Sequence, residues 1–144
     1  MRLSTKGRYG VRAMYELAKH YGDAPMSIKE IAVNQGFSDS YIEQLFSSLK
    51  KSGLIVSLRG ARGGYRLSRP PEDITVGEIL RVLEGPIEFA DCAGGASGQV
   101  CSMAADCVTR GLWQEISAAV NDIIDHKTLA DLTASGKVKN AAEI

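Results

Sequence analysis

The segment Arg59-Gly-Ala-Arg-Gly-Gly-Tyr-Arg66 constrains the fold of this chain more than any other. It lies between two apolar runs, Leu54 to Leu58 and Tyr65 to Leu67, and combines three arginines with three glycines. Apolar runs around a glycine-rich reversal predict a β-hairpin. The hairpin tip carries positive charge and little side-chain bulk, so its backbone can press against a polyanion.

The residues before the hairpin say what it is attached to. Residues 4–21 predict a helix capped by Ser4 or Thr5, with Val11, Met14, Leu17, Ala18 and Tyr21 at helical spacing. Ser27-Ile-Lys-Glu30 is a capping box that opens a second helix, with Ile28, Ile31 and Ala32 inward. Gly36 closes it, because glycine takes the left-handed conformation cheaply. Ser38 or Ser40 caps a third helix that runs to about Ser52, with Ile42, Leu45, Phe46 and Leu49 as its buried stripe. Two short helices around a glycine turn, followed at once by a hairpin, predict a winged helix-turn-helix, an architecture that lays its second helix in the DNA major groove.

After the Pro70-Pro71 linker, Thr75-Val-Gly-Glu78 opens a further short helix to about Leu83. Residues 86–103 have no sustained period and hold Gly94, Gly95 and Gly98, which predicts the least ordered segment. From about Ala104 to Asp125 the helical pattern returns, with Val108, Leu112, Ile116, Ala119, Val120, Ile123 and Ile124 in one stripe. A helix of this length spans about 30 Å. Its stripe predicts a dimer helix, with folding back on its own domain as the alternative. Thr128-Leu-Ala-Asp131 starts a last short helix, and residues 135–144 are expected to fray. The expected class is mainly α with a small β-hairpin. Its regions are a winged helix-turn-helix over 1–70, a short helix and cysteine-bearing loop over 71–103, a dimerisation helix over 104–127, and a short helix with a frayed tail over 128–144.

Charge divides along the same lines. Residues 1–70 hold 12 Lys+Arg and 5 Asp+Glu, and residues 71–144 hold 5 and 12, so a net zero hides +7 beside −7. The basic half is the half with the helix-turn-helix pattern, which points to nucleic acid as its partner. Chance segregation of solvated charges is the alternative. No stretch approaches the roughly 18 apolar residues of a membrane span. The first residues lack the apolar core of a signal peptide, so a cytoplasmic address is expected. No P-loop, His-Glu-x-x-His or nucleophile–base pair is present, and Gly60 to Gly64 does not match a nucleotide-binding fingerprint, so catalysis is not expected.

In the third helix, Ser38, Ser40, Tyr41, Glu43 and Gln44 are the residues expected at the base edges. Gln can bond adenine bidentately, Glu can accept from cytosine, and Ser is permissive. Ser40 and Glu43 also have capping-box spacing, which is the competing assignment for Glu43. Arg59 and Arg62 at the wing tip suit phosphates or a narrow minor groove. Lys6, Arg8, Lys50 and Lys51 are further phosphate candidates, with simple solvation as the alternative.

Three cysteines fall within sixteen residues as Cys92-x8-Cys101-x5-Cys107. Thiolates bind soft or borderline metals, including iron–sulfur clusters and zinc. The paired knuckles of structural zinc are absent. Inert packing of small side chains is the other possibility.

The opening Met1-Arg-Leu-Ser-Thr-Lys-Gly-Arg-Tyr9, the Ser40-Tyr-Ile-Glu-Gln-Leu-Phe46 helix and the Arg59–Tyr65 wing together resemble a known family. Val76-Gly-Glu-Ile79, the three cysteines, Leu112-Trp113 and Thr128-Leu-Ala-Asp131 extend the match over nearly the whole chain. The family is that of the winged-helix repressors typified by the iron–sulfur cluster regulator, the Rrf-two family. The resemblance implies a homodimeric transcription regulator on a pseudo-palindromic double-stranded DNA operator. It implies that Glu43 sets specificity, and that Gly63, Gly64 and Tyr65 share the wing's DNA surface with the arginines. It implies a [2Fe–2S] cluster on Cys92, Cys101 and Cys107 plus a histidine three residues beyond the last cysteine, with the cluster state selecting promoters. Arg110 stands at that position, and a guanidinium is a very poor ligand. Asp91, Ser102, Asp106, His126 or a group from a second copy are the alternatives. A cluster-free regulator controlled by thiol redox state or by a partner protein is the alternative function.

Overall fold

The protein is described by a computed structural model over residues 2–93 and 101–142. Its elements in order are α1 (Thr5–Lys19), α2 (Ile28–Gln35), α3 (Asp39–Lys51), β1 (Ile55–Leu58), β2 (Gly64–Leu67), α4 (Val76–Glu84), α5 (Arg110–His126) and α6 (Leu129–Ala142). The strands pair antiparallel with Ile55 opposite Leu67 and Leu58 opposite Gly64. This is the expected mainly helical chain with a β-hairpin.

Local chemistry sets the starts of α2 and α4. Ser27 and Glu30 form the reciprocal capping box of α2, and Gly36 closes that helix at φ 72°. Thr75 and Glu78 form the same box at α4. The buried face of α1 is Ala13, Met14, Leu17 and Ala18, while Tyr21 lies beyond the helix and is 49% exposed. Met14, Ile31, Ile42, Phe46 and Leu49 are fully buried and fuse α1, α2 and α3 into one core, each contributing about 1.5–3 kcal/mol of transfer free energy.

The second half closes against the first. The α1 face bearing Gly7 and Gly10 meets α4, where a Cβ on Gly10 would fall inside van der Waals contact of Leu83. Leu129, at the start of α6, is buried in the same core, and a single antiparallel backbone pairing joins Thr75 to Thr128. Val76 N–H donates to the Lys127 carbonyl at 2.8 Å, and Leu129 N–H to the Ile74 carbonyl at 3.0 Å.

Two boundaries differ from the sequence expectation. The long helix begins at Arg110 rather than near Ala104, because residues 101–109 form successive turns, with Ala104 N–H on the Cys101 carbonyl and Asp106 N–H on the Met103 carbonyl. The last helix is not short and frayed but runs to Ala142, since Gly136 permits the Tyr15 hydroxyl to approach and α6 packs along α1. In the expected loop 86–103, Asp91–Ala93 form a 3-10 turn, and Gly94, Gly95 and Gly98 lie outside the described residues.

Candidate nucleic-acid interface and cysteine centre

The helix-turn-helix is α2, Gly36-Phe37 and α3. Ser38 is the cap of α3, its hydroxyl accepting from Tyr41 N–H at 3.3 Å. Ser40 therefore sits inside the first turn and forms no capping box with Glu43. Ser40, Glu43 and Gln44 are exposed on the face opposite the Ile42–Leu45–Phe46–Leu49 stripe, and no side chain among the three has a hydrogen-bond partner among the described residues. Tyr41 is placed differently from the expectation. It is half-buried, its ring stands edge-on to Tyr9 at 5.8 Å, and its hydroxyl is buried without a partner among the described residues. Tyr9 in turn stacks on Phe37 at 4.3 Å, so the turn is braced by aromatics from α1.

The wing tip turns through Gly60, at φ 107°, whose carbonyl accepts from Gly63 N–H at 2.9 Å. Arg59 and Arg62 are exposed there with no partner among the described residues. Gly63, Gly64 and Tyr65 have structural tasks as well as a place on the wing. A Cβ on Gly63 would clash with the Leu58 carbonyl, and one on Gly64 with the Met26 carbonyl. Tyr65 exchanges both backbone hydrogen bonds with Met26, at 3.0 and 2.7 Å, and packs its ring edge-on against Phe46 at 5.0 Å. Met26 thus adds a third extended segment that ties the wing to the α1–α2 connection.

Two side chains of α1 that sequence reasoning missed grip the same turn. Glu16 accepts from Asn34 at 3.0 Å and from Gln35 at 2.6 Å, and Arg12 donates to Gln35 at 3.0 Å while lying 4.8 Å over the Phe37 ring. Burial pushes the Glu16 carboxyl up, but hydrogen bonds from Lys19, Gln35 and Asn34 outweigh it and hold the group below the usual carboxylate range.

The cysteines lie around the start of α5. Cys92 is half-buried in the Asp91–Ala93 turn, Cys107 is half-buried three residues before the helix, and Cys101 is exposed. Arg110 donates from Nε to the Cys92 carbonyl at 3.2 Å, so the expected ligand position is occupied by a cation that ties the Cys92 turn to α5. The Cys107 sulfur lies 3.2 Å from the Thr109 hydroxyl. Hydrogen bonds from that hydroxyl and from the Thr109 and Arg110 backbone N–H groups, with the Arg110 charge, draw the thiol below its ordinary range. No group of three His, Cys, Asp or Glu side chains converges as a metal site among the described residues. His126 ends α5, sixteen residues beyond Arg110 and so about 24 Å along the axis, which excludes it as a ligand to cysteines of its own chain.

The cysteine turn is stapled to α5, and α5 to α4. Asn121 donates to the Ile87 carbonyl at 2.8 Å, the Ser117 hydroxyl accepts from Phe89 N–H at 2.8 Å, and Phe89 stacks on Trp113. Arg81 of α4 holds Asp125 through both guanidinium nitrogens at 2.6 and 2.9 Å. Yet no residue of α5 is buried, and Leu112 and Ile123 are 47% and 63% exposed. No helix among the described residues is long and apolar enough to cross a membrane.

Residues 3–135 match the Rrf2 family, described as iron-dependent transcriptional regulator. The transcriptional regulator CymR of Bacillus subtilis is 44% identical over 134 residues, covering 93% of this chain and 91% of that protein. The transcriptional regulator IscR of Photobacterium profundum is 39% identical over 139 residues, covering 96% and 79%. Among solved structures, CymR, titled the global cysteine regulator of B. subtilis, aligns at TM-score 0.80 over 94% of this chain and 98% of that one, with 44% identity. T. potens IscR aligns at TM-score 0.77 over 94% and 88%, with 43% identity.

Proposed function

This chain belongs to the Rrf2 family of transcriptional regulators, and on that premise we propose that two copies bind a pseudo-palindromic DNA operator, with promoter choice governed by an iron–sulfur cluster on Cys92, Cys101 and Cys107. The observation that carries the DNA reading is the presentation of Ser40, Glu43 and Gln44. They stand unpartnered on a helix whose other face is locked in the core, beside a wing with two free arginines.

In this reading α3 enters the major groove. The Glu43 carboxylate accepts from an exposed cytosine amine, Gln44 serves an adenine edge, and Ser38 and Ser40 serve either. Tyr41 contributes by bracing α3 on Tyr9. Arg59 and Arg62 neutralise phosphates or enter the minor groove, while Gly63, Gly64 and Tyr65 hold the hairpin at that height. The exposed apolar residues of α5 form the homodimer seam, which sets the spacing of two reading helices near the 34 Å of one DNA turn. Regions 1–70, 71–103, 104–127 and 128–144 then serve as reading head, sensor loop, dimer helix and brace.

Three thiols, one of them held toward thiolate, suit a cluster, whereas Arg110 does not supply the fourth ligand. Bound there, a cluster would supply a redox-labile, exchangeable iron centre. The chain's own part is mechanical. Ser117, Asn121 and Arg110 hold the Cys92 turn on α5, so a change of order in that turn acts on the dimer helix.

The Arg110 cation and the lowered Cys107 thiol also favour a second reading, cluster-free control by thiol oxidation, and a Staphylococcus aureus CymR solved in an oxidized form is 40% identical to this chain. Anaerobic purification separates them. Red-brown protein with iron and acid-labile sulfide, lost in a triple Cys→Ala variant, supports the cluster. Colourless protein that takes up neither on reconstitution, yet changes promoter affinity with peroxide, supports the thiol switch. Indifference of the protein to every duplex, even in dilute salt, removes both.

A further inference from the structure

Glu16 is 1% exposed on α1 and points at the end of α2. Its Oε1 accepts from Asn34 Nδ2 at 3.0 Å and its Oε2 from Gln35 Nε2 at 2.6 Å. Lys19, at 2.9 Å, and His20, at 3.7 Å, close its outer side. The other end of the Gln35 amide is held too. Arg12 donates to Gln35 Oε1 at 3.0 Å and to its main-chain carbonyl at 3.3 Å, with the guanidinium over Phe37. Two side chains one helical turn apart on α1 therefore hold Asn34, Gln35 and Phe37, the residues that flank Gly36 immediately before the Ser38 cap.

A buried carboxylate is a poor device for stability alone, because an apolar side chain of similar volume is often as stabilising or more so. Directional bonds do what apolar packing does not: they fix an angle. Gln44 stands about 8 Å along α3 from the turn, so a tilt of about 10° there moves it by about 1 Å. That exceeds the few tenths of an ångström over which a hydrogen bond to a base edge keeps its strength.

We propose that Glu16, acting through Asn34 and Gln35, sets the angle at which α3 is presented and is a positioning residue for sequence discrimination that never touches DNA. The proposal rests on the assignment of α3 as the base-reading helix.

The test uses the full chain, a duplex selected from random sequence by the wild-type protein, and a scrambled duplex of equal length. Glu16→Met keeps the volume and removes the grip; Gln35→Ala removes it from the half-exposed side. Both variants are expected to lose about 10–100-fold in affinity for the selected duplex, as a mismatched base pair would. Affinity for the scrambled duplex and the salt slope should stay near wild type at a temperature where both variants are folded, whatever the change in melting temperature. Parallel loss on both duplexes together with a fall in melting temperature assigns Glu16 to stability alone and overturns the proposal. If Glu16→Met does not fold, Gln35→Ala decides by the same readouts. Glu43→Ala is the control. When it relaxes base preference and both grip variants leave discrimination intact, the positioning role fails by itself. When it leaves preference unchanged, the base-reading assignment fails and this proposal with it.

Discussion

The carboxylate of Glu84, the last residue of α4, accepts from the Ser4 N–H at 2.9 Å across eighty residues of sequence. The same oxygen takes the Gly7 N–H at 3.1 Å and the Ser4 hydroxyl. Ser4 stands at the cap position of α1, but its side chain caps nothing, and the Gly7 N–H of the first turn is satisfied from a different helix. The negative charge also suits the positive end of the α1 dipole. Glu84 leads into Gly85 and the turn bearing Cys92, so the cap joins the cysteine-bearing half to the helix-turn-helix half.

Glu84→Ala is expected to cost about 1–2 kcal/mol, the scale of a lost helix cap. Thermal melting at fixed protomer concentration should show a drop of a few degrees. Gly7→Ala should cost a similar amount by a different route, because its Cβ would occupy the Glu84 carboxylate position. The two changes remove one interaction, so the double variant should be no less stable than Glu84→Ala alone. Additive losses would show that Gly7 and Glu84 act separately.

The acid limb of stability has a definite sign. Glu16 and Glu78 are each pushed up by burial and drawn below the ordinary range by stronger hydrogen bonds, from Lys19, Gln35 and Asn34 in one case and from Arg69 and Thr75 in the other. A carboxyl lowered in the folded state contributes stability that is present above its unfolded pKa and lost as pH falls through its folded one. Urea unfolding should therefore give a plateau from neutral pH to about 5, then a decline that begins near the ordinary carboxylate value of about 4.3 and continues below it. Glu16→Gln should make the decline shallower. A decline of unchanged steepness in that variant would remove Glu16 from the acid response.

These two carboxylates show where the sequence was legible. The Ser27–Glu30 and Thr75–Glu78 boxes, the Gly36 turn and the stripe of α3 depend on partners within a few residues, and each stands where its spacing places it. Glu84 and Glu16 carry no local sign of their task, because their partners lie 80 and 18–19 residues away. The long helix starts later than its composition predicts for a related reason. Ala104, Ala105 and Val108 continue the helical composition, but turn bonds to the Cys101 and Met103 carbonyls take the backbone first. The tail expected to fray is helical as far as Ala142, with Gly136 in contact with Tyr15. The expectation for Tyr41 at the base edge met an inward-packed ring, since a side chain at the margin of a stripe turns to whichever aromatic neighbour the fold supplies.

The α5 face yields a prediction about assembly. Because no α5 residue is buried in the single chain, a charge on its apolar stripe should leave each copy folded. Ile123→Glu is expected to convert a dimer to a monomer in light scattering at micromolar concentration, with helical circular dichroism unchanged. Operator affinity should then fall by about 10²-fold or more, because the second half-site contact ceases to be intramolecular. A variant that stays dimeric would place the seam elsewhere, and one that loses helical content would show that the stripe serves the fold of its own chain.

Cys107 supplies a chemical readout of the cysteine-bearing region. The thiolate is the nucleophile, and Cys107 is held toward it by the Thr109 hydroxyl and by the Thr109 and Arg110 backbone N–H groups. In anaerobic, iron-free protein at pH 7, iodoacetamide should modify Cys107 several-fold faster than it does in Thr109→Val, as followed by peptide mass spectrometry. Arg110→Gln, which removes the charge but keeps the backbone donor, should slow alkylation less, because hydrogen bonds outrank the charge at this sulfur. The two variants also separate thiol activation from the staple. Loss of Arg110 frees the Cys92 carbonyl, while loss of the Thr109 hydroxyl leaves that bond in place. If Thr109→Val alkylates at the wild-type rate, the hydroxyl does not set the state of this thiol, and the thiol-switch reading loses its chemical basis, since an unactivated cysteine reacts slowly with peroxide at neutral pH.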